Sequence, residues 1–272
     1  MKKRSIYIVY VLFSTGRERR TARYLESLER ILSPNCVVVV VNNRNISLRQ
    51  FDRWVALYGS NVDHEFSGWQ EGLNYLSNTY ASDQADVVVF INDTVLDSFE
   101  NRWTSKLAAK KVSRLTEHID VHAGGQIVRS KMGEVEIFGS RVKNYVATNF
   151  FFLTFFAIGK IGLINPEIDF DRYVEENFNS GMLKSSVPIT YSVFYQEWLG
   201  FGRKGGIGKW GKSKHLPFAA ENFSALRKKL EMILRETNLT ARLNLHGIRI
   251  ADTRSNLIVR KLLRISSVLS GH

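Results

Sequence analysis

Asp86-Val-Val-Val-Phe-Ile-Asn-Asp-Thr94 sets five consecutive apolar residues between polar ends. A short run of β-branched and aromatic residues with no polar alternation is the pattern of a strand covered on both faces. Two stretches upstream read the same way. Ser5 to Phe13 is nearly all apolar, and Val37 to Val41 is five valines in a row. Between these runs the period changes. Leu25, Leu28 and Leu32 fall at helical spacing before Ser33-Pro34-Asn35, and Phe66, Trp69, Leu73 and Leu76 step by 3, 4 and 3. A further helix is expected over Phe99 to Arg114. The order β-α-β-loop-α-β predicts an α/β fold, a mainly parallel sheet with helices on both faces. Ligands of such sheets bind beyond the carboxyl ends of the strands. Those ends here are Ser14-Thr15, Asn42-Asn43 and Asn92-Asp93, all polar, which predicts one cleft along that edge.

The rest of the chain is less regular. Val121–Arg129 and Glu134–Phe138 suggest shorter strands, and Tyr145–Ile158 a Phe-rich strand. Gly200–Lys214 is rich in Gly and Lys, and the sequence from Phe223 onward is helical and basic. The expected division is a domain over residues 1–222 and a basic helical segment over 223–272. The chain has 38 Lys/Arg against 26 Asp/Glu, a net charge of +12. Residues 201–272 hold 15 against 4, a net of +11, so the first 200 are close to neutral. An excess confined to a tail points to an anchoring device rather than to a basic active domain. One cysteine, Cys36, excludes an internal disulfide and a multi-thiolate zinc site. The six His show no metal-ligand spacing. The most apolar run, Phe150–Ile158, is nine residues against about 20 for a membrane span, and Ser5–Phe13 reads as a strand, not a signal peptide. Gly206 to Ser213 matches the G-x₄-G-K-S pattern, but neither a buried strand nor a helix flanks it. It reads as a Gly/Lys loop.

Asp93 closes the central strand, where a carboxylate either caps the next turn or faces the cleft and holds a divalent cation through oxygen. At this point the chain resembles nucleotide-sugar glycosyltransferases of the GT-A fold, in particular the rhamnan-synthesis-type and related O-antigen transferases of bacteria. Phe90-Ile91-Asn92-Asp93-Thr94 resembles their strand-end phrase, and His64-Glu65-Phe66-Ser67-Gly68-Trp69-Gln70-Glu71-Gly72-Leu73 resembles an acidic-aromatic-Gly phrase one helix earlier. The likeness covers residues 5–100, and 140–200 more loosely. It implies a GT-A, Rossmann-like fold with a basic helical extension, and transfer of a sugar from a UDP-, dTDP- or GDP-sugar donor to a polysaccharide or lipid-linked acceptor.

The resemblance carries donor-binding roles onto Ser14, Thr15, Asn42, Glu65, Gly68, Gly72, Asn92 and Asp93, and Lys212 of the Gly/Lys loop is expected to add positive charge over the donor diphosphate. Asp93 would also be the ligand of a Mg²⁺ or Mn²⁺ cofactor. The family's usual Asp-x-Asp is replaced by Asn92-Asp93-Thr94, so a single acid stands where two are common. Tyr195-Gln196-Glu197-Trp198-Leu199 resembles the family's acceptor-side phrase. Glu197 is therefore expected to be the catalytic base, with Tyr195, Trp198 and Asn149 on the acceptor. Asp169 and Asp171 are the reserve candidates for the base, Tyr145 is a further acceptor contact, and His215 is either a late cation ligand or a surface residue. Trp69 shares a stripe with Phe66 and Leu73, which favours a core role for its ring. In the tail, Leu257, Ile258, Leu262, Ile265 and Leu269 fall on one helical face with Arg and Lys elsewhere. This fits either a packing helix or a helix lying on an anionic membrane surface, at the inner face of the cytoplasmic membrane. Aromatic residues are not interleaved with that charge as a stacking platform needs, so nucleic acid is not the expected partner. A non-catalytic nucleotide-binding or scaffold protein of the same fold is the alternative, and a basic nucleic-acid-binding protein a more distant one.

Overall fold

The computed structural model of the chain describes residues 4–33, 35–44, 48–118, 120–129, 134–176, 183–192 and 220–253. Its centre is β1 (Ile6–Leu12), buried at all seven positions. On one side it pairs in parallel with β2 (Val37–Asn42), Tyr7 facing Val37. On the other it pairs in parallel with β4 (Val87–Asn92), Ile6 facing Val87. A strand the sequence did not announce, β3 (Val55–Tyr58), adds in parallel outside β2. Outside β4 lies β8 (Asn144–Thr154), antiparallel, with Phe150 facing Ile91. With β5 (Ala123–Arg129) and β9 (Ile250–Asp252) the seven strands run in the order β3-β2-β1-β4-β8-β5-β9. The chain is thus α/β with a mainly parallel, Rossmann-like sheet, as the strand and helix pattern predicts.

Alternation along β1 sends two side-chain sets to opposite faces. Ile6, Ile8, Tyr10 and Leu12 join Val38, Val40, Val87, Val89, Ile91, Phe150 and Phe152 in one cluster. Helices α1 (Glu18–Leu32) and α3 (Phe99–Leu115) contribute Leu25, Leu28, Leu32, Ala108, Ala109 and Val112 to it. Tyr24 donates to Ser105 Oγ at 2.8 Å and ties the two helices together. Full burial of a Val, Ile or Phe side chain contributes roughly 1.5–3 kcal/mol, which offsets the ~1–2 kcal/mol cost of ordering each backbone residue. Strands without a polar position are therefore the ones that hold the sheet.

The opposite face receives α2 (His64–Thr79). A methyl group built on Gly72 would lie 2.4 Å from Val9 Cγ1, and one on Gly68 2.9 Å from Val11. These glycines let the helix backbone press onto β1. Trp69 is fully buried, edge-on to Phe151 and Phe90, and donates to Ile91 O at 3.1 Å. Its core role is as expected.

The Phe-rich run is a correction. Only Asn144–Thr154 is strand, and Phe155–Ile161 is a helix, α4. Thr154 Oγ1 accepts from Ala157 N at 3.2 Å, an amino-terminal cap that apolar composition alone does not reveal. No helix among the described residues is long and apolar enough to cross a membrane.

The chain forms two compact units, and they do not divide at residue 223. The sheet unit comprises 1–127, 146–165 and 246–272, and the second 128–145 and 166–245. In the second unit, β6 (Val135–Ile137) and β7 (Ser140–Val142) form a hairpin. Its turn residues Phe138 and Gly139 both have positive φ, 53° and 71°, as a tight two-residue turn requires. Helix α5 (Phe223–Leu245) buries Leu226, Leu230, Ile233 and Leu234 against Val135, Val142, Val174 and Tyr191. Its cation Arg227 bonds Asp171 and Glu231. Phe223–Leu245 therefore packs its apolar stripe into the core of this unit, where the sequence pattern suggested a separate basic segment.

Two outcomes follow. Gly72→Ala should destabilise the protein by roughly 1–3 kcal/mol in urea unfolding, although Ala in a helix is intrinsically ~1 kcal/mol better than Gly. Adding Val9→Ala should recover part of the loss. Burial, then the Glu29 carboxylate, pushes the Cys36 thiol up to about 12. Its thiolate fraction at pH 8 is small, so Ellman's reagent should react slowly with the native protein and at the rate of a free thiol in urea.

Candidate functional site

The carboxyl ends of β1, β2 and β4 meet on one edge of the sheet, and Asp93 is the hub of that edge. It is 2% exposed. Its Oδ2 accepts from Phe13 N at 3.0 Å and from Ser14 N at 2.5 Å. The acid that closes β4 therefore clasps the loop that leaves β1. Neighbouring groups complete the clasp. Arg44 Nε donates to Phe13 O at 2.8 Å, and Asn43 N donates to Leu12 O at 3.1 Å. Strand order reverses between β1 and β4, so the clasp sits at the topological switch point of the sheet.

The asparagines around it shape turns. Asn92, 3% exposed, accepts through Oδ1 from Thr94 N at 3.3 Å and from the Thr94 hydroxyl. It caps the single 3₁₀ turn Asp93–Leu96. The capping role considered for Asp93 thus belongs to Asn92. Asn42 is fully buried, and its Oδ1 accepts from Arg44 N at 3.1 Å. Asn43 Nδ2 donates to His64 O at 2.8 Å, which draws the start of α2 to the same edge. His64 itself holds a positive φ of 50°, an uncommon conformation for a residue with a Cβ.

The expected donor-binding residues separate into three groups. Ser14, half-buried, Thr15, exposed, and Glu65, half-buried in the first turn of α2, lie at this edge. Asn149 joins them. β8 runs antiparallel to β4 with Phe150 opposite Ile91, so Asn149 is the next residue at the end of β4. Its Oδ1 is buried and has no hydrogen-bond partner among the described residues. A second group has local structural partners. Gly68 and Gly72 approach β1 closely, and Asn42 and Asn92 direct their side-chain oxygens to local backbone N–H groups. Glu197, Tyr195, Trp198 and Lys212 form the third group and lie outside the described residues, as do His215 and residues 254–269 of the tail. Of the reserve candidates, Asp171 is ion-paired to Arg227, and burial raises the Tyr145 phenol so that it stays protonated at neutral pH. Asp169 lies in the second unit, just before a 3₁₀ turn.

Arg44 and Arg17 were not singled out from the sequence. Arg44 is exposed at the end of β2 with its Nε fixed. Arg17 pairs with Asp97 at 2.8 Å, and that hydrogen bond holds its guanidinium above the ordinary value. The signal for both was available: a basic residue within a few positions of a buried strand's carboxyl end. Beneath the clasp, burial pushes the Tyr10 phenol well up and the Asp93 carboxylate adds to it.

The described residues do not by themselves make a cation site. No three His, Cys, Asp or Glu side chains converge among them, and Asp93 already has Oδ2 on two N–H donors.

No family model matches the chain, and no curated protein matches it in sequence. Among solved structures, a 4-diphosphocytidyl-2C-methyl-D-erythritol synthase is similar over 59% of this chain and 79% of its own, at 12% identity and a TM-score of 0.37. The mannosyltransferase PcManGT from Pyrobaculum calidifontis, solved with GDP-Man and Mn²⁺, is similar over 100% of this chain and 81% of its own, at 12% identity and a TM-score of 0.34. Likenesses this distant do not assign a function.

The clasp makes a stability prediction. Asp93→Ala leaves two N–H groups without their acceptor, at ~1–3 kcal/mol each before water compensates, and should cost about 2–4 kcal/mol in urea unfolding. Asp93→Asn retains one acceptor oxygen and should cost less than half as much. Equal losses in the two variants would contradict the clasp.

Proposed function

We propose that the chain is a glycosyltransferase that takes a sugar from a nucleotide-sugar donor and passes it to a polysaccharide or lipid-linked acceptor. The observation that carries the reading is the clasp. One acid fixes the β1 loop at the switch point, with Ser14, Thr15, Glu65, Asn149 and Arg44 on the same edge of the same unit. That is where a sheet of this kind receives a nucleotide, and the resemblance of residues 5–100 to the GT-A transferases supports a donor site there.

In this reading Asp93 acts first on the protein, holding the Phe13–Ser14 backbone in a fixed shape so that the loop needs no reordering when donor arrives. Ser14, Thr15 and Glu65 offer hydroxyl and carboxylate groups to the hydroxyls of a nucleoside or sugar. Arg44 supplies positive charge near the leaving diphosphate, a role it would share with Lys212 of the Gly/Lys loop. The acceptor hydroxyl oxygen forms a bond to the anomeric carbon while the bond from that carbon to the diphosphate oxygen breaks. The nucleoside diphosphate leaves with the electron pair, and the hydroxyl proton passes to the Glu197 carboxylate. The assignments of Glu197, Tyr195 and Trp198 rest on the sequence resemblance, and that of Lys212 on the Gly/Lys composition of its loop. A Mg²⁺ or Mn²⁺ ion, where bound, would be held through Asp93 and would supply charge to the leaving diphosphate. Residence at the inner face of the cytoplasmic membrane would suit a lipid-linked acceptor.

A second reading has its own support. The engagement of Asp93 with backbone, without a cluster of acids among the described residues, suits a nucleotide-binding protein of this fold that performs no transfer. One experiment separates the two. UDP-, dTDP- and GDP-sugars are titrated by calorimetry with and without Mn²⁺, and release of nucleoside diphosphate is followed. The transferase reading expects one donor to bind and turn over. It also expects Glu197→Gln to cut turnover by roughly 10²-fold or more with donor affinity retained. Binding without turnover of any donor would favour the non-catalytic protein, and no binding at all would sink both readings.

A further inference from the structure

Helices α1 and α3 lie side by side on the sheet face remote from α2, and an open groove of about 740 Å³ runs between them. Arg19, Arg20, Arg23, Arg102, Lys106 and Trp103 line it. Arg19, Arg20, Arg23 and Trp103 are exposed, Trp103 at 43%. The acids of α1 are directed elsewhere. Glu26 and Glu29 pair with Arg53 at 4.0 and 3.0 Å, Glu29 also accepts from Trp54 Nε1, and Glu18 accepts from Gly16 N. Arg19, Arg20, Arg23 and Lys106 have no ion pair among the described residues.

The cations are close enough to disfavour one another. Burial, then Arg102 and Arg17, lowers the Arg20 guanidinium. Burial, then Arg102 and Arg30, lowers the Lys106 ammonium. Asp97, paired with Arg17, offsets this at Arg20 only in part, so the face keeps a basic excess that suits an external anion.

We infer that the α1–α3 face docks on an anionic membrane surface, its arginines and lysine meeting lipid phosphates and Trp103 entering the headgroup layer. From Arg19 to Arg30 the charged side of α1 extends roughly 16 Å at 1.5 Å per residue, too long for a single phosphate and suited to several headgroups side by side. Guanidinium groups match phosphate oxygens in pairs, and a half-exposed Trp beside them is the side chain that settles at the boundary of water and lipid. Nucleic acid fits less well, because one ring among so many cations is not a series of stacking platforms. The inference uses none of the residues assigned to donor binding and does not depend on the transferase reading.

The test uses the full chain, with co-sedimentation on vesicles of phosphatidylcholine alone and of phosphatidylcholine mixed with an anionic phospholipid. The wild type should bind the anionic vesicles selectively and release them as salt is raised. Arg20→Glu/Arg23→Glu/Lys106→Glu should weaken that binding at least about tenfold, since each cation near an anionic surface contributes on its own. Lys160→Glu/Lys228→Glu/Arg249→Glu changes the net charge equally at exposed positions outside α1 and α3 and should weaken it by less than about threefold. Thermal unfolding checks that both variants fold. Trp103→Ala should weaken binding with no change of charge. Equal losses in the two triple variants, equal binding to both vesicle types, or tighter binding to single-stranded RNA that the groove variant loses would each overturn the inference.

Discussion

The carboxylate of Asp93 and the two N–H groups of Phe13 and Ser14 join β4 to the exit of β1 at the point where the sheet changes direction. A chain leaving a strand buried at every position must turn away from the sheet, and its first N–H groups lose their ladder partners as it does so. Left unmet beside a buried core they would carry a desolvation cost. An acid on the next strand removes that cost for two of them at once. It also fixes where Ser14 and Thr15 project and where α1 begins. The same residue can therefore be a structural requirement and the floor of a binding edge, and no choice between the two is forced.

The sheet was legible because its strands obey a single rule. Ile6–Leu12, Val38–Val41 and Val87–Ile91 have no polar position, and such runs pack only between two layers of helices. The stripe Phe66, Trp69, Leu73, Leu76 located α2 for the same reason. Legibility ended where the deciding interaction is not periodic. The strand Val55–Tyr58 is short and only partly buried, so no apolar run announces it. The break at Thr154 depends on one hydroxyl accepting one N–H. Helix Phe223–Leu245 looks amphipathic and basic from its sequence, but the apolar stripe faces a protein core and two of its cations are tied to Asp171, Glu231 and Phe170.

At the site, residue type was informative and orientation was not. Asn42, Asn92 and Asp93 were all identified as polar closures of buried strands, and all three close them. Yet the asparagine side chains bond back to Arg44 and Thr94, a local competition that short amides enter readily. The two glycines of the α2 phrase show the same ambiguity. A glycine signals close approach but not what approaches, and here Val9 and Val11 fill the space. What survives is the location: Ser14, Thr15, Glu65 and Asn149 converge on the edge that strand order alone designates.

Charge was the least legible property, because a sum over sequence removes the geometry. The first 200 residues balance almost to neutrality, which argues against a basic surface there if charges are taken as evenly spread. They are not. On α1, Glu26 and Glu29 turn toward Arg53 and Trp54, while Arg19, Arg20 and Arg23 turn toward a helix whose own basic residues, Arg102 and Lys106, face them. Each partnership is ordinary, but together they sort one near-neutral segment into a flank where acids are paired within the protein and a flank where basic residues gather. Self-repulsion across that flank must be carried by the packing beneath it, with Tyr24 bonded to Ser105 and Leu25 and Leu28 buried beside Ala108, Ala109 and Val112.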